Sequence, residues 1–136
     1  MKSTSVLPEN RKSFDISVKG DTSGQLFTGK FVTVCMPSLR QKSQAAIMEA
    51  QLNRDLRNLD ESTVLYHRVV AQLGQRIVEA PEWFISSAAG QDLLDVNVLL
   101  EIWGQCAKAE DEWRLAVWGK PEEAKPEVKP TDEKPE

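Results

Sequence analysis

The hydrophobic period of the chain changes at Pro37, and this one change fixes the kind of fold available. Before it, SFDISVKG places Phe14, Ile16 and Val18 in strict alternation with Asp15, Ser17 and Lys19. Alternation of this kind predicts a half-buried strand. GDTSG, Gly20 to Gly24, is rich in turn formers. QLFTGKFVTVCM then predicts a second strand carrying Phe27, Phe31, Val32, Val34 and Met36. Gly29 within it marks either a bulge or a close backbone approach. Two strands joined by a short glycine-containing loop form an antiparallel hairpin. Such a hairpin is marginal alone and must pack on helices or pair with another chain.

After Pro37 the period is helical. Ser38 followed by Gln41 fits a capping box. Ala45, Met48, Leu52, Leu56 and Leu59 recur at spacings of three and four, predicting a helix to about Leu59. Asp60, Glu61 and Ser62 break it and cap the next helix, expected from Thr63 to about Glu79. Leu65, Tyr66, Val69, Val70, Leu73 and Ile77 form its stripe. Pro81 stops that helix, because the residue before proline avoids helical geometry.

The stretch APEWFISSAAGQDLLDVN reads as a corner between helices. Pro81 ends one element, Trp83 and Phe84 anchor the turn in the core, and Gly90 frees the backbone. Asp92 or Asp95 caps a third long helix, whose apolar face is expected to hold Val96, Leu99, Leu100, Trp103, Cys106, Ala107 and Trp113. Gly119, after Trp118, is a credible C-cap. From residue 120 onward Lys-Pro recurs four times with no aromatic residue. That composition cannot build a packed element. The expected organisation is a flexible leader over residues 1–12, a single α+β domain over 13–119, and a disordered Lys/Pro/Glu-rich tail over 120–136. The fold class is α+β, mostly helical: an N-terminal β-hairpin followed by three main α-helices.

Composition narrows function more than it identifies it. The net charge is -4, from 17 basic and 21 acidic side chains. Nucleic-acid binding through a broad basic face is therefore not expected. No run approaches the roughly 18 apolar residues of a membrane span, and the first residues lack the apolar centre of a signal peptide. Cys35 and Cys106 are expected as buried free thiols. No His/Cys/Asp/Glu set has metal spacing, and no glycine-rich phosphate loop follows a strand, so no cofactor is expected. The lone His67 falls within the second helix as an ordinary, partly exposed residue. Asp92 and Asp95 are explained by capping rather than by paired acid–base work. Glu110, Asp111 and Glu112 read as a solvated helix face. No catalytic residue emerges, and an enzyme is not expected. Trp83, Phe84 and Trp103 are expected inside. Trp113 and Trp118, at the helix end, either close the core or form a self-association or partner-binding surface, to which Trp103 could contribute.

The order of features resembles the tail assembly chaperones of long-tailed, siphovirus-like bacteriophages. The elements that carry it are Phe27-Thr28-Gly29-Lys30-Phe31, the Pro37-Ser38 helix entry, Ala80-Pro81, Trp83-Phe84, and Gly90 followed by Asp92-Leu93-Leu94-Asp95-x-Asn97-Val98. It covers roughly residues 13–118. The resemblance implies binding to the tape measure protein, a very long helical chain with much apolar surface. It implies keeping that protein soluble and helping to recruit tail tube subunits. It also implies action in the host cytoplasm and absence from the mature virion, with no catalytic residues. The chain's hairpin edges and aromatic helix end predict a homo-oligomer. The alternatives are a minor structural virion protein of the tail or head–tail joint, or a non-enzymatic interaction adaptor.

Overall fold

A computed structural model describes residues 7–54 and 60–119. The fold is α+β. Its elements are β1 (Arg11–Lys19), β2 (Leu26–Val34), α1 (Leu39–Arg54), α2 (Glu61–Arg76), β3 (Ile77–Glu79), α3 (Glu82–Ser86) and α4 (Val96–Trp118). The expected extension of the first helix through Leu56 to Leu59, the start of the leader and the tail lie outside the described residues.

The hairpin forms as its alternation predicts. β1 and β2 pair antiparallel in one continuous register, with Phe14 opposite Phe31, Ile16 opposite Gly29 and Val18 opposite Phe27. Because side chains alternate across a strand, these six positions share one face. Phe14 and Phe31 stack there with ring centroids 5.3 Å apart. Gly29 sits in unbroken pairing, so it is not a bulge. It is a close approach: a Cβ there would overlap the Pro81 ring. The strands also begin earlier than expected. Asn10 bonds Met36 through both its amide oxygen and its amide nitrogen, at 2.7 and 2.9 Å. The domain therefore takes in residues assigned above to the leader.

The sheet has a third strand that the helical period concealed. α2 ends at Arg76 rather than Glu79. Ile77 leaves the helix at φ -78°, ψ 120° while its amide still reaches the Leu73 carbonyl. Ile77–Glu79 then pairs antiparallel with β2, opposite Val32 and Thr33, with a bulge between those two positions. The order is β1-β2-β3.

One sheet face is covered. Ile16, Phe31, Val69, Val70, Leu73, Phe84, Val98, Leu99, Ile102 and Cys106 form the core cluster. α4 lies across β1 and β2, α2 packs on α4, and α1 packs on α2. The α4 face is rotated from the one expected. Val98, Leu99, Ile102, Cys106 and Ala109 are buried, whereas Leu100 is exposed. On α2, Val69, Val70 and Leu73 are buried as expected and Leu65 is exposed.

Capping follows local chemistry at two helix starts. Ser38 and Gln41 close a reciprocal box, the Ser38 amide to Gln41 Oε1 at 2.8 Å and the Gln41 amide to Ser38 Oγ at 3.2 Å. Asp60 accepts from the Thr63 amide at 2.8 Å. This bond, to the ionised form, holds its carboxyl below the ordinary 3.8.

Candidate functional site

The corner over residues 80–97 is built inward from the sheet. Pro81 stands at the N-cap of α3. Phe84 is buried, and Trp83 is half-buried. Trp83 Nε1 donates to the Thr28 carbonyl at 2.9 Å. Its ring meets Phe27 edge-on at 4.9 Å and Phe31 at 5.9 Å. Phe84 meets Phe31 at 5.4 Å. The aromatic pair thus anchors the corner onto β2, as the sequence suggests. Ala88 and Ala89 have φ of 57° and 56°, and Gly90 follows at 98°. Gly90 is needed twice over. Its backbone is left-handed, and a Cβ would stand 2.9 Å from Leu99 Cδ1.

The two aspartates do not cap α4 as expected. Asp92 is exposed, and its backbone amide donates to the Ser87 carbonyl. Asp95 occupies the N-cap position, but its side chain makes no cap bond. The carboxylate instead reaches across the molecule to the β1–β2 turn. It accepts from the Thr22 and Ser23 amides at 2.7 Å each and from Ser23 Oγ at 2.7 Å. Asn97 completes the grip, accepting from the Asp21 amide at 2.9 Å and donating to the Lys19 carbonyl at 2.9 Å. Gly20 gives the carboxylate its space, since a Cβ there would overlap it. The Ser23 amide foremost, with Ser23 Oγ and the Thr22 amide, holds the Asp95 carboxyl below its ordinary 3.8 against the opposing effect of burial. Asp95 is therefore a structural clasp between the hairpin turn and α4.

The three tryptophans of α4 have three different fates. Trp103 is half-buried, with the Arg76 guanidinium 5.3 Å from its ring centroid. Trp113 is half-buried and donates through Nε1 to the Pro8 carbonyl at 3.3 Å. Trp118 is 70% exposed, and Arg114 stands 5.5 Å from its ring centroid. Among them Trp118 alone leaves most of its apolar surface in solvent, and Leu115 on the same turn is exposed too.

The acidic cluster of α4 is not a solvated face. Glu110 joins two arginines. Arg114 Nη2 and Nε bond Glu110 Oε2 at 2.8 and 3.1 Å. Arg76 Nη1 lies 2.8 Å from Glu110 Oε1 without hydrogen-bond alignment, so that contact is an ion pair. Burial pushes the Glu110 carboxyl up, but the hydrogen bonds from Arg114 and the ion pair with Arg76 outweigh it and hold it below 4.5. Glu112 pairs with Lys12 of β1. Asp111 alone of the three is exposed.

The remaining chemical candidates are quiet. His67 is half-buried, with Nδ1 2.6 Å from Asn53 Oδ1 across α1 and α2. With Tyr66, Asp95 and Leu99 it lines a recess of about 250 Å³. Cys35 and Cys106 are buried and unpaired, and burial raises both thiols above their ordinary value of 9.0. Among the described residues no three His, Cys, Asp or Glu side chains are grouped to hold a metal ion. Nor is any described helix long and apolar enough to cross a membrane.

Apolar surface was the feature least visible in the sequence. A groove of about 490 Å³ runs beside β3, lined by Leu73, Ile77, Val78, Ala80, Phe84 and Ile85 among others. Val78 and Ile85 are exposed there. On α1, Leu39 and Ile47 stand in solvent at 82% and 51% exposure. Their spacing of eight was a weak signal, because they lie outside the expected stripe. Comparison with family models, with curated proteins and with solved structures finds no match.

Proposed function

We propose that this chain is a tail assembly chaperone of long-tailed bacteriophages. It binds the tape measure protein in the host cytoplasm, keeps its apolar helical surface in solution, and helps bring tail tube subunits to it. The role is binding without turnover, and the chaperone leaves before the virion is finished. The supporting observation is the placement of large apolar side chains in solvent on three parts of the fold. These are Leu39 and Ile47 on α1, Val78 and Ile85 beside β3, and Leu115 and Trp118 at the end of α4. Contiguous exposed apolar surface marks interaction sites, and exposed Val78 and Ile85 share one groove. Several small patches suit a long client held at many points better than one compact ligand held in one cleft. The sequence pattern of the corner supports the same reading.

The test is co-expression of the chain with the tape measure protein of a siphovirus-like phage. The expected result is a soluble, co-purifying complex, with the tape measure protein insoluble when expressed alone. No association would overturn the proposal.

One observation favours a second reading, a minor structural virion protein. Among the described residues, β3 is paired to β2 on one side, so its other edge can accept a strand from a neighbour. Mass spectrometry of purified mature particles separates the two: a structural protein stays, a chaperone is absent.

A further inference from the structure

We propose that the outer face of α1 is a docking strip for an amphipathic helix with acidic residues flanking its apolar stripe. The inference rests on the chaperone reading and specifies the client chemistry that one of its surfaces selects.

α1 is an unusual helix for so small a fold. Ala45 is its one buried residue. Ala45, Met48, Leu52 and Gln41 look toward α2, Gln41 through a 3.2 Å bond to the Gln75 carbonyl. At about 100° per residue, Leu39, Ser43, Ile47 and Ala50 fall on the opposite side. All four are exposed. Leu39 and Ile47 stand about 12 Å apart along the axis, at about 1.5 Å per residue, near the roughly 10.5 Å that separates the i and i+7 anchors of a packed helix.

Charge selects the occupant. Arg40 and Lys42 are exposed beside this strip. The one acidic residue of α1, Glu49, is turned to α2, where it accepts from Arg68 Nε at 3.2 Å. The strip therefore sets two large apolar side chains, Leu39 and Ile47, beside a positive border, in a chain whose net charge is -4. A second copy docked strip to strip would bring together two helices whose exposed charged residues, Arg40, Lys42 and Arg54, are all cationic, and like charges facing across an interface are costly. An extended peptide gains little, because α1 bonds its own backbone and offers no edge. A helix with Glu or Asp beside its leucines satisfies both the apolar anchors and the cations.

The experiment uses the full 136-residue chain and two labelled synthetic peptides of about four heptads. Both carry Leu at a and d; one has Glu at e and g, the other Lys. Fluorescence anisotropy is expected to show the Glu peptide binding about tenfold or more tighter, with the difference shrinking as salt is raised. Ile47→Asp should weaken the Glu peptide by a similar factor. Arg40→Glu with Lys42→Glu should reverse the preference, a result that misfolding cannot produce. Equal affinity for the two peptides, or a preference unchanged by the double reversal, overturns the proposal. So does Ile47→Asp dissolving a homo-oligomer in a chain that binds neither peptide, which makes the occupant a second copy. If Ile47→Asp binds neither peptide yet still co-purifies with the tape measure protein, the strip is not the client surface and this inference falls while the chaperone reading stands.

Discussion

α1 and α4 show the same amphipathic signature in the sequence, yet they do opposite work. α4 buries Val98, Leu99, Ile102, Cys106 and Ala109, touches both long strands and clasps the hairpin turn through Asp95 and Asn97. α1 buries Ala45 and packs on α2. The difference lies in position, not propensity: α4 lies over the sheet, while α1 is a layer further out. One helix holds the fold together, while the other keeps an outer face, with Leu39 and Ile47, in solvent.

The comparison breaks first if α4 is not the structural keystone. Ile102 is fully buried, and Ile102→Ala should cost about 2–5 kcal/mol. Chemical denaturation would show it as a lower midpoint at unchanged slope. A loss no larger than that of an exposed α1 substitution would remove the distinction. Glu110→Gln comes next, at about 3 kcal/mol, since it leaves the Arg76 guanidinium buried beside Trp103 without its countercharge. That cost should be visible at low and moderate salt alike, because the Arg76 side chain is only 9% exposed.

The clasp gives a smaller effect with a distinctive pH dependence. The folded Asp95 carboxyl titrates below its ordinary 3.8. The unfolded chain therefore binds the proton more readily, and the stability from ionised Asp95 is complete above 3.8 and lost as pH falls through the lower folded value. Asp95→Asn keeps the shape and removes the charge. Its melting temperature should lie below wild type at about pH 7, and the gap should close as the wild-type carboxyl protonates. Faster hydrogen exchange at the Thr22 and Ser23 amides would locate the loss at the turn. A gap that does not change with pH would show that the charge of Asp95 contributes nothing.

The sequence disclosed what is local and concealed what is distant. The β1–β2 pairing, the Ser38–Gln41 box and the Asp60 cap all follow from residues within a few positions of each other or from simple alternation. β3 was hidden because Ile77 fits the helical spacing of α2 as well as it fits a strand, and only the presence of β2 decides. The role of Asp95 is hidden because its partners lie 72 and 73 residues away, whereas its neighbours in sequence point to a helix cap. Glu110 looked solvated for the same reason: Arg76 is on another helix. Of the corner residues, Pro81, Trp83, Phe84 and Gly90 were legible because proline, aromatic pairs and glycine carry their constraint in their own geometry. Among the aromatics of α4, burial depended on Pro8 and Arg76, which periodicity does not place.

The smallest expected effect is the most informative about α1. Leu39→Ser with Ile47→Ser exchanges two apolar side chains, 82% and 51% exposed, for polar ones. Little burial is lost, so stability should stay within about 0.5 kcal/mol of wild type. Yet if α1 presents its face to a client, the same pair of changes should abolish co-purification with the tape measure protein or weaken it strongly. An equal pair placed inside α4 would lose both stability and binding together and so could not separate folding from function. Retention of both on α1 would mean that its exposed leucine and isoleucine are inert, leaving the β3 groove and the Trp118 end as the surfaces that carry the proposed role.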